Sequence, residues 1–146
     1  MKKIILILVV SILFGCSSDS KSEDVVINFE NIIGKWYVKD IIRPDGSIQP
    51  YTNLCSTKRD YFEVFPSSNI TFYSQGPSCI TYNPYYCDGL VLDNDGVMSQ
   101  CGSDRFEGTI TKLTNKLMRF EYDEPITLNE NAPNDGLIKG HIYTKE

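Results

Sequence analysis

The stretch Lys116-Leu117-Met118-Arg119-Phe120-Glu121-Tyr122 decides the fold. Apolar and charged residues alternate from Met118 on, so Met118, Phe120 and Tyr122 share one face while Arg119 and Glu121 point the other way. A period of two is that of a β-strand with one face on a core and one toward water. Phe106 to Leu113 precedes it as a second strand, and the intervening Thr114-Asn115 suits a tight hairpin.

Working outward, Trp36 to Ile42 is rich in β-formers and is stopped by the turn signal Arg43-Pro44-Asp45-Gly46. Tyr61 to Phe65 ends at Pro66-Ser67-Ser68-Asn69, and Ile70 to Ser74 ends at Gln75-Gly76-Pro77. Leu90-Val91-Leu92 runs into Asp93-Asn94-Asp95-Gly96, which reads as a turn, because an EF-hand register would put Val91 at its first ligand. Leu137 to Thr144 closes the chain after a loop from Asp123 to Gly136. Seven or eight strands in about 115 residues predict an all-β fold. The expected architecture is a small antiparallel β-barrel, with a β-sandwich as the alternative. One helical turn is expected at Asn28 to Ile33, with Asn28 as its cap and Ile32-Ile33 plugging one end of the barrel.

The chain has 146 residues, enough for one domain. With 41% hydrophobic and 23% charged residues, it is too apolar to be disordered. Its amino terminus is Met-Lys-Lys, an apolar run from Ile4 to Phe14, then Gly15-Cys16. The run is shorter than the roughly 18 residues a membrane-spanning helix needs, so residues 1–15 read as a secretory signal. Residues 16–27 read as a Ser-rich, acidic, flexible tether, and 28–146 as the folded domain. Loss of Lys2 and Lys3 with the signal takes the net charge from -5 to -7. That balance argues against a nucleic-acid partner.

Apart from Cys16, the cysteines are Cys55, Cys79, Cys87 and Cys101. An even number in an exported protein predicts two disulfides, with three connectivities open. A zinc site is not expected: there is no Cys-x-x-Cys pair, and the one histidine, His141, lies far beyond Cys101.

Two resemblances add to this reading. Leu13-Phe14-Gly15-Cys16 resembles the bacterial lipobox, which implies that Cys16 carries a lipid anchor, and two or more acyl chains suffice for stable attachment. The acidic tether looks like the export tag of some Bacteroidota lipoproteins. The implied location is the outer membrane, on its periplasmic face or at the cell surface. Ile33-Gly34-Lys35-Trp36 resembles the Gly-x-Trp that opens the first strand of a lipocalin. Cys55-Ser56-Thr57-Lys58-Arg59-Asp60-Tyr61-Phe62, Cys79 and the hairpin Ile110 to Leu117 are similar, in that order, to the lipocalin-like domains of small Bacteroidota lipoproteins. The chain lacks the second Thr-Asp-x signature of classical lipocalins and the helix that follows their barrel. The resemblance implies pairing of Cys55 with Cys79 and of Cys87 with Cys101.

No nucleophile elbow, zinc-protease motif or phosphate loop occurs, and no carboxylate pair is singled out among 19 acids. The chain is therefore not expected to be an enzyme or to need a cofactor or metal. Trp36, at the start of a strand, reads as structural, and His141 as a surface or satisfied histidine. Two functional expectations remain, both for a monomer held to the membrane by its anchor. One is a barrel whose interior takes a small apolar or amphipathic ligand, lined by Phe72, Met118, Phe120 and Tyr122. The other is a filled barrel whose stapled loop, Tyr82-Asn83-Pro84-Tyr85-Tyr86, contacts a glycan or a protein.

Overall fold

The computed structural model describes residues 23–100, 107–128 and 136–146. Cys16 and Cys101 lie outside these residues, as do the side chains of Tyr85, Tyr86 and Cys87. A single helical turn, α1 (Phe29–Ile32), leads into strand β1 (Gly34–Ile42). The Asn28 side chain caps it as expected, accepting from Asn31 N–H at 2.9 Å. Ile32 is fully buried at its end, and the Trp36 indole donates to the Ile32 carbonyl at 2.7 Å. Trp36 therefore joins the turn to the sheet while filling the core, the structural role its position suggests.

The remaining strands are β2 (Ile48–Pro50), β3 (Tyr61–Val64), β4 (Asn69–Gln75), β5 (Thr81–Asp88), β6 (Leu90–Leu92), β7 (Val97–Gln100), β8 (Gly108–Leu113), β9 (Leu117–Leu128) and β10 (Gly136–Lys145). They form one antiparallel sheet in the order β5-β4-β3-β1-β10-β9-β8-β7-β6, with β2 pairing β1 beside β3. The fold is all-β, as expected, with one sheet in place of the two of a sandwich. Its two ends are consecutive pieces of chain: β5 pairs with β4, β6 pairs with β7, and Gly89 alone separates them. Gly89 has φ +87°, a conformation open to glycine at little cost, and it lets the strand turn from one half of the sheet to the other. Leu90 N–H donates to Ser68 O at 2.7 Å, but no ladder among the described residues joins β5 to β6. The sheet is thus not closed into a barrel by hydrogen bonds.

Bulges bend the sheet between Val38 and Asp40, Phe72 and Ser74, Ile110 and Lys112, and Ile138 and Gly140. The face they curve around carries the core, where Trp36, Phe62, Ile70, Met118, Phe120 and Ile138 are buried. The alternation read at Met118, Phe120 and Tyr122 holds: all three are buried, and Arg119 pairs with Glu121 at 2.7 Å on the opposite face.

Several sequence expectations are corrected. Tyr82 to Tyr86, read as a stapled loop, belongs to β5. Pro84 obscures this because it cannot donate to a ladder, but β5 is an edge strand, and Pro84 falls where the pairing with β4 shifts register. Asp123 to Leu128, read as the start of a loop, extends β9, and Ile126 pairs with Ile138. Pro125 again lies in a register shift, between the Glu121–Gly140 and Ile126–Ile138 pairs. Strands β2 and β7 are too short to show a period. Residues 24–27, assigned to the tether, lie on the domain instead: Val25 N–H donates to Leu113 O at 2.9 Å, Asp24 bridges Thr114, and Val25 and Ile27 pack on the core.

The turn at Asp93 to Gly96 is as expected, its Asp93 carboxylate accepting from Asp95 and Val97 N–H at 2.9 Å each. Cys55 is bonded to Cys79, the pairing implied by the resemblance. Closing a loop of this length restrains the unfolded chain by about 3 kcal/mol in the entropic account.

Candidate functional site

Beside the core lies a pocket of about 160 Å³ that opens to solvent. Register explains its walls. Phe62 on β3 lies opposite Phe72 on β4, and their rings approach to 5.7 Å. From β10, Tyr143 meets Phe62 edge-on at 4.8 Å, and His141 lies 5.4 Å from Tyr143. Tyr122 of β9 is edge-on to His141 at 5.7 Å, and Tyr51 approaches the same imidazole at 6.4 Å. With Tyr61 and Tyr73, eight aromatic residues border this one small space.

Asp60, immediately before β3, puts a carboxylate in the wall of this space, and it is buried, with 8% exposure. The Tyr51 hydroxyl donates to its Oδ2 at 2.5 Å, and Gln75 N–H donates to its Oδ1 at 2.6 Å. Its own N–H donates to the Asn53 side chain at 2.9 Å, which fixes the loop leading to β3. Burial, together with the bond to Asp60, pushes the Tyr51 phenol far above its usual range. Tyr122 and Tyr143 are likewise pushed up by burial.

The Tyr122 hydroxyl lies 3.0 Å from His141 Nδ1, and the Tyr143 hydroxyl is hydrogen-bonded to Tyr122. Burial lowers the His141 pKa to about 4, so the imidazole is neutral at pH 7. His141 is thus a satisfied core histidine, the second of the two readings its sequence position allowed.

Of the four residues proposed from the sequence to line an interior site, the structure brings Phe72 and Tyr122 to the cavity. Met118 and Phe120 are fully buried in the adjoining close-packed core and do not border it. Tyr51, Asp60, His141 and Tyr143 do border it and were not singled out for this role. Alternation could not reveal the last two, because Gly140 to Tyr143 is buried without interruption and a central strand covered on both faces shows no period of two.

On the outer face, Tyr37, Tyr61 and Tyr73 form a cross-strand row, of which Tyr61 and Tyr73 also border the pocket. Tyr61 and Tyr73 stack at 4.5 Å, and the Arg59 guanidinium lies over Tyr37 while pairing with Glu146. Tyr37, tilted against Tyr61 at 5.3 Å, is the one member of the row that does not border the pocket.

No protein-family model matches the chain, and no curated protein or solved structure matches it.

Proposed function

We propose that this protein is a lipid-anchored lipoprotein of the outer membrane, attached through Cys16, that binds a small apolar or amphipathic molecule in the cavity walled by Phe62, Phe72, Tyr122 and Tyr143. The lipobox-like Leu13 to Cys16 supports the anchor. The observation that carries the binding reading is the cavity itself. A mostly aromatic space with a few convergent polar groups has the character of a small-molecule site. Its volume of about 160 Å³ is comparable to that of a space that takes one small ring. The part of the cargo seated in the pocket is therefore one ring or a compact head group.

Native mass spectrometry of the protein purified from its own cells tests this. The expected result is an adduct of small mass that dissociates on collisional activation and is lost in a Phe72→Trp variant that fills the cavity. A protein that is consistently bare, and that accepts no small ring compound when one is supplied, overturns the reading.

A further inference from the structure

We infer that the cavity is built for a small organic cation, an ammonium head group held between the aromatic rings and the Asp60 carboxylate. This rests on the cavity being the binding site and adds the chemical class of its ligand. The first observation is the charge of the walls: among the described residues, Asp60 is their only acid, and no Lys or Arg lines the space. A carboxylate or phosphate ligand would be buried beside a like charge with nothing to offset it. Second, Asp60 is buried and accepts from two neutral donors, the Tyr51 hydroxyl and Gln75 N–H, but forms no ion pair among the described residues. Buried carboxylates ordinarily have a cationic partner as well, and a ligand cation would supply it.

The third observation is what the tyrosines offer. The Tyr51 hydroxyl is engaged by Asp60, and those of Tyr122 and Tyr143 by His141 and by each other. Their contribution to the cavity is thus the ring rather than the hydroxyl. Ring faces carry negative quadrupole potential and attract cations, most strongly where water is excluded, and aromatic cages are the recurrent solution for methylated ammonium groups. A neutral imidazole at His141 adds no opposing charge. The volume suits a trimethylammonium group, which is no larger than a six-membered ring.

The test compares choline with its neutral isostere, in which carbon replaces the nitrogen, by calorimetry on the full chain held in a maltoside detergent that carries no ammonium group. Choline should bind at least about tenfold more tightly than the isostere, because only choline gains the charge-dependent attraction. That preference should shrink in Asp60→Asn. Should the asparagine variant not fold, Tyr51→Phe, which removes a donor from the carboxylate and leaves the ring, should retain the preference. Equal or tighter binding of the isostere overturns the inference of a cation while leaving a neutral-ligand cavity intact. Failure of choline, the isostere and phenol alike overturns both. Competition separates two sources of the same chemistry: displacement of choline by phosphatidylcholine vesicles assigns a lipid head group, and its absence assigns a free solute.

Discussion

His141 shows how far a single residue depends on its surroundings. In an unfolded chain it would take up a proton near pH 6.5, whereas burial beside Tyr122 holds it neutral down to about pH 4. The unfolded state therefore binds the extra proton first as pH falls, and stability drops with it. The contribution is fully present above pH 6.5, is lost progressively between pH 6.5 and 4, and amounts to about 3 kcal/mol. Urea unfolding at pH 7 and at pH 4 should show that loss in the wild type on top of a background from the carboxylates. In His141→Gln, only the background should remain. Identical pH slopes in the two proteins would show that His141 is not buried as described. At this scale the sequence was informative about Trp36 and Asn28, whose roles follow from their immediate neighbours. It was silent on Asp60, whose partners Tyr51 and Gln75 stand on opposite sides of it along the chain and meet only in the fold.

Among elements, the tightest approach is where β8, β9 and β10 meet. A Cβ on Gly140 would lie 2.2 Å from the Phe120 carbonyl oxygen, and one on Gly108 would lie 2.3 Å from that of Glu121. Both obstacles are backbone, which cannot swing aside, so the two glycines let the flanking strands close on β9. Gly140→Ala should accordingly cost about 2 kcal/mol or more. A lowered denaturant midpoint with an unchanged slope is the expected outcome, and a wild-type midpoint would contradict the close approach. Elements with strong local signals were legible: the alternation from Met118 to Tyr122, the turns at Pro44-Asp45-Gly46 and at Asp93 to Gly96, and the β-formers after Trp36. Strand β5 and the second half of β9 were not, since each contains a proline that ordinarily argues against a strand. Both prolines are tolerated for a reason only pairing reveals, namely that each sits at a shift in register.

For the whole molecule, an all-β fold was readable because many short strands with turns between them leave few other solutions. The cavity was not. Inward-facing residues can be named from alternation, but which of them border empty space depends on how the sheet bends. Here the bulges leave Phe72 and Tyr122 beside the cavity and press Met118 and Phe120 into solid core. Ligand is proposed to enter this space and not to settle at Tyr37 or along the β5 edge. Titration of isotope-labelled protein with a small ring compound or with choline, followed by NMR, tests that claim most directly. The account predicts shifts concentrated at Phe72, Tyr122, His141 and Tyr143, with Tyr37 and the exposed Tyr82 unmoved. Shifts confined to Tyr37 or Tyr82, neither of which borders the pocket, would contradict it.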